Sequence, residues 1–381
     1  MALLLAGGSR DPSLAALARA ARENGIPVVD GLAAPGNVPA ISCDAGAGGL
    51  RLHGRVIREE GKRPYVSSNT ATPGPEVPVS AAFLRGDVFA THPGSGAAPA
   101  GTTGQEARAQ ANRDNRRTSG DHAAQVEGYL AVLRGWLAGA ERVRCFNRDP
   151  FGRSRSVNKL AALRAAALLG LAVPETLSGN DGDALMRALA GGPLVQKPFR
   201  GGNYCRPLTA GMLETHLAGG RALPAVTAQA RLVAPDLRVF RVGARLVGFE
   251  IRSGALDYRT DPAARIVPRD IPGEIAAPLV ALNDAMGLDW CASDFKTCPE
   301  TGAFVYLETN ANPMFHGFDR ASDGALCRAM LAALGFVVSA TEEDSPYRDA
   351  PDRRAGAARP SEQRSQASEQ HGKLHEPGFQ P

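Results

Sequence analysis

Three stretches carry side chains whose types and spacing could do chemistry. The most informative is Asp294-Phe295-Lys296, then a turn at Pro299 to Gly302, then Phe304-Val-Tyr-Leu-Glu308-Thr-Asn310-Ala-Asn312-Pro313. On a strand, Glu308 and Asn310 are two apart and share a face, and Asp294 can lie on the neighbouring antiparallel strand. Two carboxylates and an amide oxygen on one sheet face suit a hard cation, Mg²⁺ or Mn²⁺, shared with nucleotide phosphates. An exposed acidic face is the poorer reading, because the surrounding residues are apolar.

The second stretch is Leu194-Val195-Gln196-Lys197-Pro198, running into Arg200-Gly201-Gly202-Asn203. A cation at a strand end beside glycines can hold phosphate oxygens, since backbone N–H groups come close and the ammonium offsets the charge. A solvated turn would look the same. The third is Asp236-Leu-Arg238-Val-Phe-Arg241-Val-Gly243 with Val247-Gly-Phe-Glu250-Ile-Arg252, a hairpin carrying Arg238 and Arg252 on apolar strands. An arginine projecting from a buried sheet needs an anion, and phosphate or carboxylate fits its planar fork. Structural pairs, Arg238 with Asp236 or Arg252 with Asp257, are the alternative.

These residues need elements to position them. Leu3 to Ala6, a helix from Leu14 to Glu23 closed by Asn24-Gly25, and a strand from Ile26 to Val29 predict a βαβ opening. A strand at Ala82 to Leu84 precedes Thr91 to Ala123, which lacks apolar periodicity and reads as a loop or flexible insertion. Gln125 to Leu137 reads as a helix with Val126, Leu130, Leu133 and Leu137 on one face. A second unit starts near Val143 and includes a helix from Asn158 to Leu169 closed by Gly170. Strands follow at Pro193 to Lys197, Val239 to Ile251 around Gly243, and Ala303 to Leu307, with a last helix from Ala325 to Leu334. Beyond Thr341 the chain has almost no large apolar residue and reads as a disordered tail.

The composition sets bounds. With 381 residues, 44% apolar and 22% charged, the chain is long enough for two or three globular domains. A formal charge of +4, with acids and bases intermixed, argues against nucleic acid as partner. The six cysteines are scattered without C-x-x-C spacing, which excludes a zinc knuckle or disulfide framework and fits the cytoplasm. MALLLAGG is too short for a signal core, and no run of 18 apolar residues occurs, so neither secretion nor membrane insertion is expected. Gly7-Gly8 lacks the G-x-G-x-x-G spacing of a dinucleotide site. A homodimer is the default expectation at this size.

In their order along the chain, these motifs resemble the ATP-grasp superfamily, in particular the group of ribosomal-protein glutamate ligases and microviridin-type peptide macrocyclases. The matching residues are Asn158-Lys159-Leu160 and its helix, Gly170-Leu171-Ala-Val173-Pro174-Glu-Thr176, Gln196-Lys197-Pro198, Asp236-Leu-Arg238, and Asp294 with Glu308-Thr-Asn310. The resemblance covers residues from about 143 to 335, roughly half the chain. The resemblance implies an α/β (α+β) ATP-grasp fold of two lobes, 143–228 and 229–340, after an N-terminal α/β domain (1–142) with an insertion at 91–123, and before a tail (341–381).

It also implies roles. Lys197 and Lys159 would hold the phosphates of ATP under a mobile loop containing Gly201 and Gly202. The hinge Gln229, Ala230, Arg231, Leu232 and Val233, with Asp236 beyond it, would receive adenine, mostly through backbone groups. Many relatives carry a glutamate after the hinge glutamine, where this chain has Ala230. Arg238 and Arg252 would stabilise the transferred phosphoryl group, and Asp294, Glu308 and Asn310 would bind Mg²⁺, with Asn312 assisting. The implied activity activates a carboxylate as an acyl phosphate and joins it to an amine as an amide, or closes an ester bond instead, on a peptide. A small-molecule amino-acid ligase or a non-catalytic ATP-binding module are the alternatives. Arg85 and Asp87 are candidates for the acceptor site, with a structural ion pair the favoured reading. His316 is a candidate base for the amine, with a structural role favoured.

Overall fold

A computed structural model describes residues 1–34, 37–43, 50–53, 56–57, 79–86, 105–148, 157–198, 204–218 and 225–338. All of these belong to one compact unit. Thr91 to residue 104, the loop at Gly201 and Gly202, Asp87, and the tail from Thr341 lie outside the described residues.

The chain opens as a βαβ unit. Strand β1 (Ala2–Gly8) is buried along its whole length and runs parallel to β2 (Val28–Ala33), with helix α1 (Pro12–Glu23) between them. Asp11 starts α1 by accepting the Ser13 N–H at 2.8 Å, and Pro12 fills the first turn where no N–H is needed. A short hairpin, β3 (Ala40–Cys43) and β4 (Leu50–His53), precedes β5 (Val56–Ile57), β6 (Val79–Leu84), helix α2 (Gln105–Gly139) and β7 (Arg144–Cys145). The first sheet has the order β5-β2-β1-β6-β7, with only β5 antiparallel. Alternation along β1 divides its burial: Leu3 and Leu5 pack with α1, whereas Leu4 and Ala6 pack with Val126, Leu130 and Leu133 of α2.

Two boundaries differ from expectation. Helix α2 begins at Gln105, inside the stretch expected to be a loop, because the Gln, Glu, Ala and Arg there favour helix without an apolar stripe to reveal it. Arg144–Cys145, expected to open the second unit, instead pairs with β6 as the edge of the first sheet. Two residues are too few to show a period.

The rest forms two antiparallel sheets. Helix α3 (Lys159–Leu168) comes first. A four-stranded sheet ordered β10-β9-β11-β8 then follows, built from β8 (Thr176–Gly179), β9 (Leu194–Pro198), β10 (Arg206–Pro207) and β11 (Val226–Ala230). Helices α4 (Gly182–Ala190) and α5 (Ala210–Ala218) cover it through Leu185 and Leu213. The five-stranded sheet is ordered β14-β13-β12-β15-β16. Its strands are β12 (Val233–Val242), β13 (Arg245–Arg252), β14 (Arg265–Pro268), β15 (Trp290–Thr297) and β16 (Phe304–Asn310), with α6 (Gly273–Ala285) between β14 and β15. One face packs on α3 and α6 through Leu163, Leu279, Leu237 and Phe295. Thus α3, expected in the first lobe, rests on the sheet of the second. The other face packs Phe240, Phe249 and Trp290 against α1, α7 (His316–Ala321) and α8 (Ala325–Ala333).

Candidate active site

Period-two alternation on β12 turns Asp236, Arg238 and Phe240 to one face. Register then sets Arg238 opposite Asp294 on β15, and Asp294 opposite Glu308 on β16, three adjacent rungs of one sheet face. Arg238 Nη1 lies 3.1 Å from Asp294 Oδ1 and donates to the Tyr258 hydroxyl at 3.3 Å. Its guanidinium sits over the rings of Phe240 and Phe318, at 5.4 and 5.2 Å from their centroids. Its Nε is buried and has no hydrogen-bond acceptor among the described residues.

Lys159 reaches the same place from the first turn of α3, whose start is fixed by Asn158 Oδ1 accepting the Ala161 N–H at 3.1 Å. Its Nζ is 3.1 Å from Glu308 Oε2. Lys197 on β9 of the small sheet is close enough for its charge to act on Glu308, Asp294 and Asp236. Lys296, two residues after Asp294 and so on its face, pairs with Asp236 at 2.6 Å. The three carboxylates Asp236, Asp294 and Glu308 thus all belong to the five-stranded sheet, and Lys197 of the small sheet acts on each of them.

The two central carboxylates behave differently. Burial pushes Asp294 up to about 6, against the pull of Arg238 and with added repulsion from Glu308. Burial also raises Glu308, but Lys197 and Lys159 outweigh it and hold the group below its ordinary value. Asp236 is raised by burial, which the Lys296 contact only partly offsets. No group of three or more His, Cys, Asp or Glu forms a metal cluster among the described residues. The available donor set is Asp294, Glu308 and the amide oxygen of Asn310, whose orientation is held by the Asn312 N–H at 2.9 Å. Two carboxylates and an amide suit Mg²⁺ where phosphate oxygens complete the shell.

The hinge residues lie where expected in the chain: β11 ends at Ala230, β12 begins at Val233, and Arg231-Leu232 joins the two sheets. The Gln229 side chain is buried and donates to Thr176 Oγ1 at 3.2 Å, and the Ala230 and Arg231 N–H groups bond within the small sheet. Arg252 is not brought to the site. It lies on the opposite face of the sheet from Arg238, its side chain is 66% exposed, and it donates to Glu250 at 2.6 Å. Its partner is neither a phosphate site nor the Asp257 considered from sequence.

Arg85 is fully buried and forms an ion pair with Asp11, the structural reading. It also donates to Asn312 Oδ1 at 2.7 Å and to the Pro313 carbonyl at 2.6 Å, which ties the first sheet to the loop after β16. Asn312 is thus engaged by Arg85 rather than turned to the carboxylates. The His316 N–H meets Ser13 Oγ at 3.3 Å, and burial and Arg320 lower the pKa of its imidazole. Sequence reasoning missed Lys296, Tyr258 and the Asp257–Arg259 pair. Asp257 accepts from Arg259 at 2.6 Å and from the Cys205 N–H at 3.2 Å, linking the end of the glycine-rich segment to the turn after β13. Alternation from Asp294 pointed to Lys296; nothing in the local sequence singled out Tyr258.

The sequence matches no protein-family model and no curated protein. Solved structures do resemble it. The ATP-grasp ligase PsnB, complexed with a phosphomimetic variant of a minimal precursor, Mg and ADP, is 23% identical with a TM-score of 0.62, over 87% of this chain and 98% of that one. The macrocyclase MdnC from Microcystis aeruginosa MRC, bound with precursor peptide MdnA, is 20% identical with a TM-score of 0.58, over 88% and 100%. A Chryseobacterium gregarium RiPP-associated ATP-grasp ligase, in complex with ADP and a leader and core peptide, is 16% identical with a TM-score of 0.57, over 88% and 96%. With two sheets joined by the Arg231-Leu232 link and this likeness over nearly the whole length of those enzymes, the chain has the ATP-grasp fold.

Proposed function

We propose that the protein is a cytoplasmic, ATP- and Mg²⁺-dependent ligase that activates a carboxylate as an acyl phosphate and joins it to an amine, on a peptide substrate. The observation that carries this reading is the row Arg238, Asp294 and Glu308 across β12, β15 and β16, faced by Lys159 and Lys197. Phosphoryl transfer needs positioning and charge neutralisation more than covalent chemistry, and fixed cations supply both. Asp294, Glu308 and Asn310 would hold Mg²⁺, which when bound offsets phosphate charge. Lys159 and Lys197 would bind phosphate oxygens, and Arg238, held by Tyr258 and Asp294, would steady the charge on the group in transfer. No protein nucleophile is needed, because the substrate carboxylate attacks phosphorus and the amine then displaces phosphate from the acyl carbon. The peptide half of the reading draws on PsnB, MdnC and the Chryseobacterium enzyme, whose structures hold precursor, leader or core peptides.

The test is release of ADP and phosphate from the full chain with ATP, Mg²⁺ and pools of acidic peptides or amino acids. Acceptor-dependent turnover that disappears in Glu308→Ala and Lys197→Ala supports the ligase. ATP binding with no turnover on either pool would overturn it, and turnover on free amino acids alone would overturn the peptide substrate.

A further inference from the structure

The small sheet and the five-stranded sheet follow one another through Arg231-Leu232, and a second tie joins them between residues 52 apart in the chain. After β13 the chain makes a single 3₁₀ turn, Tyr258–Thr260, capped by Asp257, whose Oδ1 accepts the Arg259 N–H at 3.2 Å. Consecutive side chains of this turn take different partners. Asp257 Oδ2 accepts the Cys205 N–H at 3.2 Å, at the entry to β10 of the small sheet. The Tyr258 hydroxyl accepts from Arg238 at 3.3 Å. Arg259 returns to Asp257 with both arms of its fork, Nε at 2.9 Å and Nη2 at 2.6 Å, and its guanidinium lies 5.1 Å from the centre of the Tyr204 ring.

What the Asp257 contact holds is the strand of Lys197. β9 and β10 pair with Arg206 opposite Gln196 and Pro207 opposite Val195, and the same antiparallel register one residue further sets Cys205 opposite Lys197. The charge of Lys197 accordingly acts on the Cys205 thiol. Asp257 is suited to hold a backbone N–H firmly. Its side chain is 9% exposed, so little water competes for it. Burial alone would raise its pKa, but hydrogen bonds from Arg259 outweigh burial and keep the group below its ordinary value, so it accepts as a carboxylate. The same turn therefore grips Arg238 directly and the lysine strand through one backbone group.

We propose that Asp257 is a positioning residue, which acts through Cys205 and β9 to keep Lys197 in place for nucleotide phosphate, in step with the Arg238 that Tyr258 holds. This rests on the ATP-dependent ligase reading above. The role predicts a sign opposite to that of simple electrostatics. A carboxylate near a phosphate site repels phosphate, so removing it tightens the binding of an anion if charge alone acts. A carboxylate that holds the phosphate lysine in place does the reverse, and its removal weakens that binding.

The probe is ADP with Mg²⁺, titrated by calorimetry into the full chain and into Asp257→Ala, Cys205→Pro, Lys197→Met and the combination of Asp257→Ala with Lys197→Met. Cys205→Pro deletes the N–H and leaves every charge in place, and β10 is an edge strand, where proline is tolerated, so it also provides a measurement if Asp257→Ala does not fold. Each of these two variants should weaken ADP about tenfold. On the Lys197→Met background Asp257→Ala should add less than about twofold, since both changes act through the same ammonium. ADP bound as tightly as by the wild type, or more tightly, in either variant would overturn the proposal, as would losses that add in full in the combined variant. A wild type that does not bind ADP would sink this role and the ligase reading together. A wild type that binds ADP but turns over no acceptor sinks the ligase reading alone, whereas turnover with wild-type ADP affinity in both variants sinks the positioning role alone.

Discussion

Asp294 and Glu308 face each other across β15 and β16, yet each leans on a different cation: Asp294 on Arg238 at 3.1 Å, and Glu308 on Lys159 at 3.1 Å. The two charges repel, and Glu308 adds to the rise of the Asp294 pKa. Separate partners divide their behaviour, with Glu308 held below its ordinary pKa and Asp294 pushed up to about 6. Environments that drive neighbouring carboxyls apart are typical of sites that handle charge. Glu308 stays ionised at neutral pH, and Asp294 is the member that titrates.

This split predicts a pH effect on the stability of the ligand-free protein. The native pKa of Asp294, about 6, lies above its unfolded value of about 3.9, so between these values the folded state binds the extra proton. The stabilisation is complete below about pH 4 and is lost as the pH rises through about 6. Asp294→Asn lacks this proton, so the wild type should lose on the order of 3 kcal/mol relative to the variant across that window. Urea titrations at several pH values check it; a difference that stays flat or grows with pH would contradict it.

The two arginines of the β12–β13 hairpin should separate cleanly. Arg238 faces Asp294 and the lysines, whereas Arg252 is on the far face with Glu250. Arg238→Lys keeps the charge and loses the planar fork, and should lower the turnover number about 100-fold with folding intact. Arg252→Ala should change it less than about twofold, since an exposed pair contributes little. Steady-state ADP release compares them, and equal losses would mean that the strand faces are misassigned.

That contrast shows what the sequence could and could not reveal. The spacing of Glu308 and Asn310, the alternation at Arg238 and the Asn158 cap are local, and local rules place them. The face of Arg252 is not local. The two-residue turn at Gly243-Ala244 pairs Val242 with Arg245, so even positions of β12 share a face with odd positions of β13. A turn one residue longer would have put Arg252 beside Arg238. Tyr258 was likewise hidden, since its value lies in reaching Arg238 across twenty residues of chain.

Glu308 sets up a prediction about metal. If it and Asp294 hold Mg²⁺, ADP should bind more tightly with Mg²⁺ than without, and Glu308→Gln should remove most of that gain, about tenfold in affinity or more. Lys159→Met should weaken ADP with and without the metal, because its role is toward phosphate. Calorimetry of the three proteins with and without Mg²⁺ decides this. A metal gain that survives in Glu308→Gln would remove Glu308 from the donor set.

The ion pair of Arg85 with Asp11 is the most deeply buried in the molecule among those described, with both side chains fully enclosed. Arg85 also holds Asn312 and Pro313, so one guanidinium joins the start of α1 to the loop after β16. Removing one partner leaves the other charge buried and unpaired, which costs about 3–5 kcal/mol. Arg85→Leu should lose that much in urea unfolding, and Asp11→Asn less, because asparagine still caps α1. The double variant should lose less than both singles combined, since the second change removes the charge that the first left stranded. Strict additivity would show that the two side chains act independently, and would leave the short contact between them without energetic weight.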